Sequence, residues 1–230
     1  FLIADSNYLS RLGEQGDLLF EGAQGVLLDE WYGFHPYTTW STTTSENALT
    51  LLSDIAFDGD VERLGVLRAY HTRHGAGPFV TEDEMLTKLL PDTHNGTGKW
   101  QGVFRVGWFD LVAAKYALAV NGGVDSLAIT NLDRFAEVKD RKICTAYRSA
   151  TGNTVQELPL KKERTDLVVQ EELTKFVAGC APVYMPASNN TEMYLERIED
   201  ALQVPITVTS HGPSALDKCF KLRNATQCVA

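Results

Sequence analysis

The feature that most constrains this chain is an alternation of two kinds of apolar segment. Residues 63–70, 126–130, 142–148 and 204–209 are short segments that read as strands, the second of them β-branched. Between them, residues 45–57, 109–120 and 191–202 carry apolar side chains at helical spacing; the first opens on a capping Ser45 and the second stops at Gly122-Gly123. Strands separated by helix-length crossovers call for an α/β fold, a mostly parallel sheet with flanking helices. Residues 17–20, Asp-Leu-Leu-Phe, read as one more short buried strand that stops at Gly22, which makes 21–25 a loop at a strand's C-terminal end. Two stretches, about 75–107 and 149–169, show no regular period, and the first is long for a connection without a function of its own. The whole chain, 1–230, reads as a single α/β unit.

Composition narrows the partners. A net charge of −9 with scattered Lys and Arg excludes a phosphate-backbone surface, so no nucleic acid is expected, and small molecules or proteins are. No apolar run approaches the roughly 20 residues of a membrane span. The four cysteines, Cys144, Cys180, Cys219 and Cys228, lie far apart with no CxxC pair, which predicts free thiols and a cytoplasmic setting. The charged run 161–164 reads as a solvated face.

Four constellations carry possible chemistry. Phe20-Glu21-Gly22-Ala23-Gln24-Gly25 sets an uncharged amide between glycines, where donor and acceptor together suit a purine edge; a plain tight turn is the alternative. Residues 38–45 hold seven hydroxyls, enough for an anion site or for helix capping in a polar loop. His71-Thr-Arg-His74-Gly75-Ala-Gly-Pro78 is at most half of a metal site, so no metal is assigned to it, and its glycine turn fits a sugar or phosphate better. Thr130-Asn131-Leu132-Asp133 ends a strand on a carboxylate that can accept from the N1 and N2 hydrogens of guanine or merely cap a turn.

Taken in order, these pieces resemble the adenylosuccinate synthetase family, purine-nucleotide ligases with a P-loop-GTPase-like fold. The likeness runs through Phe20–Gly25, Leu28-Asp29, Tyr37 and Thr39, then Ala69-Tyr70, Thr72-Arg73, 75–79 and Thr81-Glu82. It continues in 107–110, Thr130 with Leu132-Asp133, 146–148, 197–199, 204–206, and Ser210 with Gly212-Pro213. The resemblance implies the joining of L-aspartate to IMP at the expense of GTP, with Mg²⁺, in a homodimer. It implies that Gln24 is catalytic and, with Thr39, His74 and Gly75, binds IMP, and that Asn131, Leu132, Asp133, Ser210, His211 and Gly212 bind GTP.

The likeness also has gaps. The family's aspartate loop, Thr-Thr-Gly-Arg-x-Arg-Arg, falls on residues 99–105, where Lys99 and Arg105 are the basic residues and Gly102 and Phe104 stand in place of arginines. A bidentate clamp on a carboxylate does not survive that exchange. Nothing before Phe20 resembles the family's phosphate-binding glycine loop, catalytic Asp and His, or Mg²⁺ ligands. The resemblance therefore implies a C-terminal portion, inactive by itself. A related ligase with an altered nucleotide or amino-acid substrate, or a non-catalytic nucleotide binder, are the alternatives.

Overall fold

The structure, a computed structural model, describes residues 5–92, 95–222 and 225–228, with the side chains of Ser6, Leu222 and 225–228 left aside. The elements in chain order are α1 (Ser6–Gln15), α2 (Glu46–Asp54), β1 (Leu64–Arg68), β2 (His71–His74), α3 (Glu84–Leu89), β3 (Phe104–Gly107), β4 (Phe109–Asp110) and α4 (Leu111–Val120). There follow β5 (Ser126–Thr130), α5 (Leu132–Ala136), β6 (Lys142–Arg148), β7 (Thr154–Val155), α6 (Leu167–Ala178), β8 (Ala181–Pro186), α7 (Thr191–Leu202), β9 (Ile206–Ser210), β10 (Lys218–Leu222) and β11 (Ala225–Cys228).

The main sheet has the order β1-β5-β9-β10-β11. Its β1-β5-β9 part is parallel, with Leu67 opposite Ile129 and Ile129 opposite Thr209, and β10-β11 closes one flank as an antiparallel hairpin. This is the α/β architecture that the alternation predicts. A second sheet is built on β6, which pairs with β4 in parallel and with β7 and β8 antiparallel, and β2 pairs with β3.

Helix α4 joins the two apolar clusters. Leu111 and Ala114 meet Leu127 and Ile129 of β5 and Tyr194 and Ile198 of α7. On its other side Val112 and Tyr116 meet Phe34, Tyr147, Leu173 and Val177. A helix apolar all round must lie inside, which is why its sequence is rich in small residues. Asp110 starts it, accepting from the backbone N–H of Val112 at 3.0 Å and Ala113 at 3.1 Å. Helix α7 is amphipathic, burying Tyr194, Ile198 and Leu202 at four-residue spacing, and it ends at Gln203 in the left-handed region, φ 55°.

Several expectations need correction. Residues 17–20 form no strand: Leu19 is 95% exposed, and no described strand pairs with this segment. An apolar run becomes a strand only where an edge receives it. The stretch 75–107 contains α3 and β3, and 149–169 contains β7 and the start of α6. Free thiols are found for Cys144 and Cys180, whereas Cys219 is disulfide-bonded. The β10-β11 register sets the Cys219 backbone opposite Cys228, a juxtaposition that hairpin pairing creates without any CxxC spacing.

Candidate nucleotide-binding site

Two loop clusters leave the same end of the parallel strands. The first grows from β5 and β9. Asn131 takes the left-handed conformation, φ 60°, and turns the chain from β5 into α5, its side-chain oxygen accepting from the Thr130 hydroxyl at 3.0 Å. Leu132 is buried in the core, so only its backbone could meet a ligand. Asp133 is exposed, and its carboxylate has no hydrogen-bond partner among the described residues. Beside it, β9 ends at Ser210, whose hydroxyl turns back to Gly212 O at 3.2 Å. His211 is exposed, with Nε2 3.2 Å from the Thr209 hydroxyl.

Asp217 and Lys218 pin that second turn. The Asp217 carboxylate accepts from Ser214 N at 2.7 Å, its backbone O accepts from His211 N at 2.8 Å, and Lys218 Nζ donates to Gly212 O and Ser214 O, both at 2.8 Å. A Cβ on Gly212 would meet the Asp217 carboxylate at 2.6 Å, so any side chain there would push that carboxylate aside. Sequence reading missed these two residues, because Ser214-Ala-Leu stands directly after the Gly-Pro, where the family's acidic and basic pair is expected, and Asp217-Lys218 follows three residues later.

The second cluster hangs from β2. Ala69 N–H donates to Thr130 O, so β2 departs beside the β5 loop. Arg73, 7% exposed, sends Nη2 to Tyr37 O and Nε to Ala76 O, both at 2.9 Å. Gly77 has φ 102°, and a Cβ there would strike Arg73 and Tyr37, so this glycine lets the 75–78 turn close against residues 37–39. Thr39 is held by its own N–H on Leu28 O at 2.8 Å. The structure therefore sets the turn after His74 and Gly75 against Tyr37, two residues before Thr39. Burial, reinforced by the neighbouring Arg105 charge, lowers the Arg73 pKa to about 10, which still leaves it cationic at neutral pH.

Gln24 also sits in the left-handed region, φ 69°, exposed, with no side-chain partner among the described residues. The hydroxyl-rich segment that follows is mostly structural. Thr43 Oγ1 donates to Gly25 O at 3.0 Å, Thr42 Oγ1 to Glu30 at 2.9 Å, and Ser45 N to Asn121 at 3.1 Å. Buried Asp29 ties the loop, accepting from Trp31, Tyr32 and Thr43 backbone N–H groups. Thr38, Thr39 and Ser41 keep hydroxyls that the described residues do not engage.

Arg105 is a latch. Its guanidinium donates to Gly75 O at 2.6 Å, Gly77 O at 2.9 Å and Glu82 at 2.7 Å, which leaves little of it for a substrate carboxylate. Gly75 N–H is likewise taken, by Val103 O at 3.0 Å. Lys99 is exposed at the tip of a turn closed by the Gly98–Gly102 bridge, its ammonium 5.1 Å from the Trp100 ring. Phe104 stands edge-on to His74, with the Arg68 guanidinium 5.8 Å from its ring. His74 Nε2 is buried without a partner among the described residues. Arg105→Lys keeps the charge but loses the planar fork, and urea denaturation is expected to show about 1–2 kcal/mol lower stability. A loss below about 0.5 kcal/mol would remove the latch from this account.

Among the described residues no three His, Cys, Asp or Glu side chains gather as a metal site would require. These residues do not fit a Mg²⁺ site, and no step through the ion is derived from them.

The fold and the loops define an α/β protein whose candidate ligand residues collect at the carboxyl ends of parallel strands, where such sheets bind ligands. The chain belongs to the adenylosuccinate synthetase family, whose sequence profile matches residues 1–218. The adenylosuccinate synthetase of Geobacter sp. (strain M21) is 36% identical over 220 residues, 91% of this chain and 49% of that protein. The fully ligated adenylosuccinate synthetase of Plasmodium falciparum superposes with a TM-score of 0.73 at 25% identity, covering 94% of this chain and 53% of that one. The succinoaminodeoxyadenylate synthetase of cyanophage S-2L shares the fold, with a TM-score of 0.55, 19% identity and coverage of 95% and 50%. The chain spans about half the length of the relatives it matches.

Proposed function

We propose that this chain is the nucleotide-recognising portion of a purine-nucleotide ligase that joins L-aspartate to IMP with GTP, releasing GDP and phosphate. The observation that carries the reading is the meeting of the 130–133 and 210–212 loops at the ends of the paired strands β5 and β9, with an unpaired Asp133 carboxylate between them and solvent. A carboxylate so placed accepts two N–H groups from guanine, and adenine offers no such pair. Gln24, Thr39, His74 and Gly75 serve the IMP side. The Gln24 amide donates to the purine oxygen as charge builds on it during phosphorylation, a stabilisation of the kind that preorganised amides provide. Mg²⁺, a homodimer and a cytoplasmic setting belong to this reading by family. No described helix is long and apolar enough to cross a membrane, and the Cys219 disulfide stands against the cytoplasmic setting.

The engaged Arg105 and the Lys99-Trp100 turn favour a second reading, a related ligase with a different amino-acid substrate. The test is adenylosuccinate formation by protein that carries this chain, with calorimetric nucleotide binding alongside. Asp133→Asn is expected to weaken guanine nucleotide binding about 10- to 100-fold while sparing IMP. Gln24→Ala is expected to lower kcat about 100-fold. Tight IMP and GTP binding without product would move the assignment to the second reading, and unchanged guanine affinity in the Asp133 variant would sink the base-reading role.

A further inference from the structure

The turn that follows β9 is fixed from the hairpin beside it. β10 pairs antiparallel with β9, Lys218 opposite Ser210 and Cys219 opposite Thr209, and β11 pairs with β10 on the flank. Asp217 accepts from His211 N and Ser214 N, Lys218 donates to Gly212 O and Ser214 O, and Cys219 comes next in the chain. The residues that pin the turn are thus continuous with the strand that opens the hairpin.

Apolar packing does little for this region. Among the described residues, neither apolar cluster holds any residue beyond Ile206, and Leu216 and Phe220 are 62% and 42% exposed. The Lys221–Glu199 ion pair, at 3.4 Å, lies in solvent and contributes little. A two-stranded flank without apolar cover is marginal on its ladder hydrogen bonds alone. A covalent closure therefore matters more here than it would in the core.

Cys219 supplies that closure. It is disulfide-bonded, Cys144 and Cys180 are free, and the hairpin register sets its backbone opposite Cys228. Cys219 is only part-buried, within reach of a thiolate from solvent, and accessible disulfides are the labile ones.

We propose that the Cys219 disulfide is a redox latch on the 210–214 turn. Closed, it holds β10 and, through Asp217 and Lys218, the turn; opened, it frees the turn, and guanine nucleotide binding weakens. That consequence rests on the guanine reading of Ser210, His211 and Gly212, whereas the latch rests on the geometry of the hairpin. Opening is a two-electron exchange with a dithiol: one thiolate attacks the S–S bond, a mixed disulfide forms, and the second thiol displaces the protein sulfur. The protein gains two hydrogens as two thiols, and the dithiol leaves as a disulfide.

The test is amide hydrogen exchange and GTP calorimetry on protein that carries this chain, before and after treatment with dithiothreitol. Reduction is expected to speed exchange of the His211 amide, which donates to Asp217 O, about 10-fold, and to weaken GTP binding about 10-fold. Exchange at buried Ile129 and affinity for IMP should not change. Reoxidation with oxidised glutathione should restore both readings. Cys219→Ser should behave as the reduced protein under both conditions, and Cys180→Ser, which removes a free thiol, should respond as wild type does. Equal His211 exchange in the two redox states, or a Cys219→Ser variant that still answers to dithiothreitol, would overturn the latch. A faster His211 amide with GTP bound equally in both states would overturn its link to the guanine site. No GTP binding in either state, with His211 still responding, would sink the guanine reading and uphold the latch.

Discussion

Gln170→Leu is expected to lower the stability of this protein by about 2 kcal/mol, the cost of taking one donor from each of two buried carbonyls that keep a second, the Tyr116 hydroxyl for Tyr32 O and the His35 N–H for Gly33 O. Gln170 lies on α6, 1% exposed, far in sequence from everything it holds. Its Nε2 donates to Tyr32 O at 2.7 Å and Gly33 O at 2.8 Å and lies 3.0 Å from the Tyr116 hydroxyl, which itself donates to Tyr32 O at 2.8 Å. The coil being held is tight: a Cβ on Gly33 would meet Asp29 O at 2.5 Å and Leu27 O at 2.8 Å. Lys161 Nζ adds a bond to Trp31 O at 2.7 Å. Leucine fills similar volume but donates nothing. Thermal denaturation should show a fall of about 4–8 °C for a chain of this size, with Glu172→Ala, exposed on the same helix, as an unaffected control. Because the coil leads directly to Tyr37 and Thr39, purine nucleotide binding should weaken as well. A variant that melts within about 0.5 kcal/mol of wild type would show that the coil holds itself.

The same residue shows where sequence reading reached its limit. β5, β6 and α7 are legible to the residue, since their period and end signals agree: Gly122-Gly123 stops α4, and Asn190 caps α7. Helix α6 is not, because Val168 and Val169 at its start imitate a strand and the buried Gln170 breaks the apolar stripe. Its stripe becomes visible only once Leu173 and Val177 are seen against Tyr116 and Tyr147. Residues 17–20 failed in the opposite sense: local pattern said strand, but pairing depends on a distant edge. In the site, the motif residues Asp133 and Gln24 stand out because they are flanked by turn formers, and the structure leaves both exposed. Arg73 and Arg105 were read as motif letters or possible substrate ligands, whereas each is spent on loop carbonyls. A side chain's availability depends on what folds around it, and no spacing rule reports that.

Two buried groups should give this protein a pH dependence that variants can separate. Asp110, 2% exposed, caps α4 and accepts from Tyr147 Oη at 2.6 Å; burial raises its pKa to about 6, against the lowering effect of those hydrogen bonds. A carboxyl whose folded pKa lies above its unfolded value of 3.8 binds its proton more tightly when folded. Its contribution is therefore greatest below pH 3.8 and is lost as pH rises to 6, by about 3 kcal/mol. His71, with its ring 4.8 Å from that of Phe109, has the opposite sign: burial lowers its pKa from 6.5 to about 4, so the unfolded chain holds the extra proton and stability grows with pH between those values. The magnitudes are similar and the windows overlap, so the wild-type contributions nearly cancel. Asp110→Asn keeps an oxygen for the Val112 and Ala113 N–H groups, at a cost of about 1 kcal/mol for the Tyr147 hydroxyl hydrogen that loses its acceptor. In that variant, urea denaturation should show stability climbing from pH 4 to 6.5 and exceeding wild type at pH 8 by about 1–2 kcal/mol. His71→Phe, which deletes a buried nitrogen with no partner among the described residues, should instead show stability falling from pH 4 to 6. Parallel pH profiles for the two variants would mean that neither group titrates between fold and unfolded chain as their burial requires.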